Sequence, residues 1–125
     1  MSSAVSWFQI PCGDFARGKR FYETIMGVTL QDMVAPDMQM AAFPADPLKG
    51  EIGGALVAAP GATPSGEGTT VFLNAEPDMQ AILDRIPAAG GKVLMPRTKI
   101  EMEGGGYFAM FADTEGNTVG LFSLS

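Results

Sequence analysis

Few side chains in this sequence are equipped for chemistry, and the types that are missing narrow the field first. Histidine is absent, which removes the commonest metal ligand and the usual general base near neutral pH. Ser-His-Asp and Cys-His nucleophiles and His-rich metal centres are excluded together, so a metal would need carboxylate, amide or thiolate donors. Cys12, the single cysteine, stands just before an expected helix start, where a thiol pKa can fall; the alternative is an inert, buried thiol. Glu101 and Glu103 flank Met102 ahead of Gly104–Gly106 and are the late carboxylates available to a metal or a proton transfer, on a loop Gly-rich enough to be a mobile lid. Arg97 and Lys99 beside that loop offer positive charge to an anionic substrate, or are plain solvated charge.

The remaining candidates are built for binding. Trp7 and Gln9 share strand parity and point to one face while Phe8 and Ile10 point to the other. If Phe8 and Ile10 lie under a helix, Trp7 is either a stacking platform for a flat ligand or a space filler. Gly120 leaves room beside a large side chain or marks a sheet kink. Tyr22 falls on an apolar helix stripe and reads as core rather than catalytic. Asp113 opens the run Asp113–Asn117, where the Asp side chain can accept from its own turn and Gly116 and Asn117 tolerate positive φ, the signature of a hairpin.

The elements that must position these residues come in two similar halves. Ala4–Pro11 reads as a strand, and Asp14 caps a helix whose Phe15, Gly18, Phe21, Tyr22 and Ile25 recur at helical spacing until Gly27 stops it. Val28–Val34, Met38–Pro44 and Ile52–Ala58 follow as strands, with turn formers between them. After the Pro, Gly and Ser-rich stretch Ala59–Gly68 the pattern restarts: strand Thr69–Ala75, then a helix capped by Asp78 with Met79, Ile82, Leu83 and Ile86 on one stripe and Gly90-Gly91 as its stop. Pro87 is expected to distort the last turn of that helix. Strands Lys92–Pro96, Tyr107–Ala112 and Thr118–Leu124 complete the half. Asp14 matches Asp78 and Gly27 matches Gly91, a repeat of about 64 residues. The expected organisation is one α+β domain over 1–125: module one 1–59, linker 59–68 and module two 69–125, each module βαβββ. Each sheet buries one face under its own helix, and the two free faces curl around a shared cavity where a ligand would sit.

Composition narrows the partners. The 125 residues are 46% hydrophobic and 18% charged, enough for a real core, and no apolar run approaches a membrane span. Net charge −6 argues against nucleic acid and acidic membrane surfaces. A start without a basic, apolar leader and a lone cysteine point to the cytoplasm. Eight Phe and nine Met suit an adaptable apolar interior or dimer contact.

Three segments, WFQIPCGDFARGKRFYETIMG, GTTVFLNAEPDMQAILDRIPAAGGKVLMPRT and FADTEGNTVGLFS, together resemble the vicinal oxygen chelate superfamily of glyoxalase I, bleomycin- and fosfomycin-resistance proteins and extradiol dioxygenases. The resemblance covers nearly the whole chain and is nearest the glyoxalase-like branch with WFEIP and DTEGN…GL patterns. It implies paired βαβββ modules with a cup-shaped mixed sheet, commonly a homodimer, and a divalent metal held from the first and last strands of each module. Carried over, the ligand positions fall on Trp7, on Gly120, on Thr70 or Val71, and on Gly54 or Leu56, none of which offers a strong donor. Gln9 stands where the branch has Glu and cannot act as a base. The expectation is a small-molecule-binding protein whose cup is lined by Trp7, Gln9, Thr70, Asn74 and Gly120, with no metal or other cofactor, and with catalysis left open. Two alternatives stand beside it. One is a metal-dependent lactoylglutathione lyase or dioxygenase using Gln9, Glu51, Glu101 or Glu103; the other is an antibiotic-sequestering resistance protein, whose cationic ligands would suit the acidic chain.

Overall fold

The computed structural model describes residues 3–125; Met1 and Ser2, inside the expected first module, lie outside the described residues. In chain order the elements are β1 (Trp7–Pro11), α1 (Phe15–Met26), β2 (Gln31–Ala35), β3 (Met38–Ala42), β4 (Gly53–Ala58), β5 (Phe72–Asn74), α2 (Met79–Ala89), β6 (Lys92–Lys99), β7 (Tyr107–Ala112) and β8 (Thr118–Ser123), with a short 3₁₀ turn at Pro47–Lys49. This is the βαβββ pattern twice, as the repeat implied. The sheets are ordered β1-β4-β3-β2 and β5-β8-β7-β6. Within each sheet the first and last strands of the module run parallel and the other pairs antiparallel.

Both helices start where a side-chain oxygen meets orphan amides. Asp14 Oδ1 accepts from Arg17 N at 3.1 Å and Asp78 Oδ1 from Ala81 N at 3.1 Å. α1 ends on Gly27 with φ 66°. α2 runs through Pro87 and ends on Gly90, not Gly91, one residue short of the expected match. Its buried stripe is Met79, Ile82, Leu83 and Ile86, the spacing read from sequence.

Several strand limits differ from expectation for local reasons. β1 begins at Trp7 rather than Ala4. β2 begins at Gln31 because the chain is still wrapped around the end of α1, where Glu23 accepts from Leu30 N at 2.8 Å. β5 is only three residues long, although Gly120 N still donates to Val71 O and Ala75 N to Phe122 O on either side of it. β6 passes through Pro96 to Lys99, which an edge strand permits because its outer side needs no N–H donor; two register irregularities accompany it.

One hydrophobic cluster draws on both modules. Ile10, Ala41 and Leu56 from the first sheet and Leu73, Ala75, Ala109, Phe111, Val119 and Leu121 from the second share it with both helices. α1 and α2 pack against each other, and Arg85 of α2 donates to Ile25 O at 3.0 Å. Tyr22 is the hinge of the aromatic packing: its ring meets Phe21 at 5.0 Å, Phe43 at 5.7 Å and Phe111 at 6.3 Å between centroids, mostly edge to face. Phe43 comes from module one and Phe111 from module two. The faces of both sheets opposite the helices are left open.

Candidate functional site

The open faces meet at β1 and β5, the facing edge strands of the two sheets. No main-chain hydrogen bond joins these strands among the described residues, and a cleft of about 820 Å³ lies between them. Trp7, Gln9, Thr70 and Asn74 all line it, together with Phe72. Alternation explains how. Ile10 is buried and Phe8 packs on the core, so Trp7 and Gln9 face the other way; Leu73 and Ala75 are buried, so Phe72 and Asn74 also face the open side. Trp7 remains 43% exposed and Phe72 47%, which for the only indole and a large ring marks an unfilled surface.

Gly120 is placed differently from expectation. It pairs in register with Phe72 and lies beneath that ring, so that a Cβ added there would fall on the ring itself. Trp7 pairs in register with Gly53, where an added Cβ would come within 3.1 Å of indole Cζ3. The complementary pairs are therefore Trp7 with Gly53 and Phe72 with Gly120, not Trp7 with Gly120. Gly54 and Leu56, the other candidates for the remaining position, face the core: Leu56 is buried and Gly54 lies under the Phe8 ring. Val71 O is engaged by Gly120 N and its side chain packs on the core cluster. Phe72 and Gly53 are the positions that sequence reasoning missed. The signal was available in the strand-to-helix connectors, since Ile10 precedes its cap by four residues and Ala75 precedes its cap by three.

A divalent metal does not fit what stands here. An indole, a phenyl ring and two glycines occupy the first and last strands where the two modules meet, and none of them donates an electron pair to a metal. Among the described residues no group of three or more Asp, Glu or Cys side chains is arranged to hold a metal ion. Glu51 lies in a smaller groove of about 400 Å³ on the other side of Trp7, where it accepts from Asp46 N at 2.7 Å. Glu101 and Glu103 sit in the exposed β6–β7 turn, away from the cleft. Arg97 stacks on Tyr107, its guanidinium carbon 3.7 Å from the ring centroid, and neither it nor Lys99 lines the cleft.

The polar residues of the C-terminal motif build a joint instead. Asp113 and Asn117 are each 6% exposed. Asp113 Oδ2 accepts from Tyr22 Oη at 2.7 Å and from Asn117 Nδ2 at 2.8 Å, while its Oδ1 takes the amides of Glu115 and Asn117. Asn117 also donates to Pro11 O at 2.7 Å and accepts from Ser65 N at 3.1 Å, so one carboxamide ties together β1, the linker and the β7–β8 turn. Gly116, with φ 93°, supplies the left-handed step inside that turn. Glu115 then reaches back to the start of α1. It accepts from Gly13 N at 3.0 Å and Asp14 N at 2.7 Å, and forms a two-point pair with Arg17 at 2.6 and 3.1 Å. Burial alone would raise its pKa, but the hydrogen bonds from Arg17, Asp14 N and Thr114 and the Arg17 charge outweigh it and hold the carboxyl at about 2.

The same joint silences two candidates. Burial, reinforced by the charges of Glu115, Asp113 and Asp14, pushes the Cys12 thiol up to about 11, the opposite of activation at a helix N-terminus. Burial and Asp113 likewise raise the Tyr22 phenol well above its ordinary value, so it stays a protonated donor inside the core.

Solved structures share this architecture. A glyoxalase/bleomycin resistance protein from Albidiferax ferrireducens T118 matches at a TM-score of 0.66 with 19% identity, over 95% of this chain and 97% of that one. Fosfomycin resistance protein FosX from Listeria monocytogenes matches at 0.67 with 14% identity, over 98% and 91%. An E144Q mutant of glyoxalase I from Zea mays matches at 0.70 with 17% identity, over 94% of this chain but only 44% of the maize chain. These likenesses concern the fold. No curated protein is similar enough in sequence to match. A family model described as the glyoxalase/bleomycin resistance protein/dioxygenase superfamily matches residues 4–121. With that match spanning both modules, the chain belongs to the glyoxalase/bleomycin resistance/dioxygenase superfamily, the vicinal oxygen chelate fold.

Proposed function

We propose that this protein binds a small organic molecule in the cleft between β1 and β5 through stacking and amide hydrogen bonds, without the metal its superfamily is known for. The observation that carries the reading is the paired arrangement of aromatic on glycine, Trp7 over Gly53 and Phe72 over Gly120, at the strands where metal ligands would otherwise converge. Two half-exposed rings in a cleft of about 820 Å³ suit a drug-sized guest. Neither a lyase or dioxygenase step through unconventional oxygen ligands nor a cationic antibiotic as guest has a comparable observation behind it: the carboxylates named for the first do not converge, and among the described residues the cleft is lined by one carboxylate, Glu76, already held by two hydrogen bonds.

The reading extends to assembly and location. Met33, Met38, Met95 and Phe122 are exposed on the sheets together with Trp7 and Phe72, apolar side chains that a second copy would cover. A homodimer that covers some of them follows, and sedimentation equilibrium tests it: a mass of one chain at micromolar concentration contradicts the dimer. The lone buried Cys12 suits a reducing cytoplasm. No helix among the described residues is long and apolar enough to cross a membrane.

The cleft itself is tested with ¹⁵N-labelled protein in the presence of EDTA. The chain has one Trp and therefore one indole N–H cross-peak. Planar bicyclic compounds should move that peak saturably. A peak that stays in place for every compound, or that moves only when a divalent metal is added, rejects the reading.

A further inference from the structure

Resting on the reading of the β1–β5 cleft as a ligand site, we infer that its guest is a flat, uncharged ring system with hydrogen-bond acceptors on opposite edges. The two edge strands present the same kinds of side chain in the same order, an aromatic ring and then a carboxamide. Trp7 is followed two residues on by Gln9, and Phe72 two residues on by Asn74, all four on the open face and lining the cleft. Each ring is seated on a glycine of the neighbouring strand, Gly53 or Gly120, where any side chain would displace it. The cleft thus offers an aromatic face from each module and a carboxamide beside each face.

The amides decide what edge the guest must have. Glu76 N donates to Asn74 at 2.9 Å, and a backbone N–H can be accepted only by the carboxamide oxygen, so Asn74 turns its NH₂ group outward as a donor. The side chains of Gln9 and Thr70 make no hydrogen bond among the described residues, so each is free to donate as well as to accept at the cleft. With Asn74 offering its NH₂ group on one wall and Gln9 able to donate from the other, a guest with acceptors on both edges can be met on both.

The rest of the lining offers a charged guest little to pair with. Glu76 is the one ionisable residue among the described residues that line the cleft. Its carboxylate is already engaged by Leu124 N at 2.9 Å and by Ser125 Oγ at 2.5 Å, and the Ser125 and Leu124 hydrogen bonds hold its pKa below the ordinary value. An anion finds no counter-charge here and meets a chain of net charge −6. A cation finds a single carboxylate, already held by two hydrogen bonds, and no second one among the described cleft residues.

Four compounds of one shape separate these statements. 1,5-Naphthyridine is uncharged with a ring nitrogen acceptor on each edge, naphthalene has none, 2-naphthoate is an anion and N-methylquinolinium a cation. Each is titrated into the wild-type protein in EDTA, by calorimetry and by emission of the sole Trp. Naphthyridine is expected to bind about tenfold more tightly than naphthalene, the worth of two neutral hydrogen bonds. Asn74→Ala and Gln9→Ala should each erode that preference several-fold. Equal affinity for naphthyridine and naphthalene overturns the acceptor assignment, and tighter binding of either ion overturns the uncharged one; in both cases the cleft remains a ligand site. If no compound binds and the Trp emission does not move, the cleft reading itself falls and this inference with it.

Discussion

Replacing Glu115 with Gln keeps the shape of the side chain and removes its charge. In the folded protein this carboxylate is held at about 2 instead of the ordinary 4.5, with its side chain fully covered and Arg17 half exposed. The difference, taken at face value, corresponds to about 3 kcal/mol of folding free energy at neutral pH. Solvent around the half-exposed Arg17 screens the pair, which brings the expected loss for Glu115→Gln to about 1–2 kcal/mol, or a Tm lower by roughly 5–10 °C. The sign of the pH dependence follows from the direction of the shift. A carboxylate whose folded pKa is depressed stabilises above its unfolded pKa, and that stabilisation is lost as pH falls through the folded value. The wild type should therefore lose this contribution between about pH 4.5 and about pH 2, and the variant should lack that step. Urea unfolding followed by far-ultraviolet circular dichroism at pH 7, 5, 4 and 3 reads both. A variant as stable as wild type at pH 7, or a stability gap that does not narrow toward pH 3, refutes the idea that Glu115 clamps the start of α1 to module two.

Other consequences are equally specific. Asn117→Ala removes the bonds to Pro11 O, Asp113 and Ser65 N from a buried joint and should cost about 2–4 kcal/mol in chemical denaturation; a cost below about 0.5 kcal/mol would show the joint is not tying the modules. Gly53→Ala should shift the emission of the sole Trp, because its Cβ meets the indole, whereas Gly120→Ala should displace Phe72 and leave the emission largely as it was; the reverse pattern sinks the pairing. Gly120→Ala, whose Cβ would fall on the Phe72 ring, is expected to cost about 1–3 kcal/mol through overpacking. Cys12, with its thiol held near 11 and 3% exposed, should react with a disulfide reagent at pH 8 far more slowly in native than in urea-unfolded protein, and equal rates would contradict its burial.

The helices and the open-face parity of β1 were legible in the sequence because each rests on local rules. Asp14 and Asp78 cap, Gly27 stops, and alternation puts Trp7 and Gln9 on one face; all of these need only neighbours within a turn or a pleat. The cross-module pairing was not legible. Helix caps 64 residues apart, Asp14 and Asp78, suggested that strand positions match at the same offset, but the connector into α2 is one residue shorter and the strands match from Trp7 to Phe72 instead. A slip of one residue exchanges the faces of a strand, so Phe72 was passed over and Thr70 or Val71 taken in its place. Asp113–Asn117 was readable as a turn, yet nothing local tells that Glu115 reaches Gly13, Asp14 and Arg17, about a hundred positions earlier. Such a contact exists only once the two modules have docked. Thr70 and Asn74 both line the cleft.

That this cup works without a metal is most directly tested by elemental analysis of the protein purified without any chelator. Nickel, zinc, manganese and iron are each expected well below one equivalent per chain, because Trp7, Gly53, Phe72 and Gly120 supply no donor where the modules meet. About one equivalent of any of them, retained through gel filtration and lost in a Gln9→Ala variant, would contradict the account and return the chain to the metal-dependent branch of its superfamily.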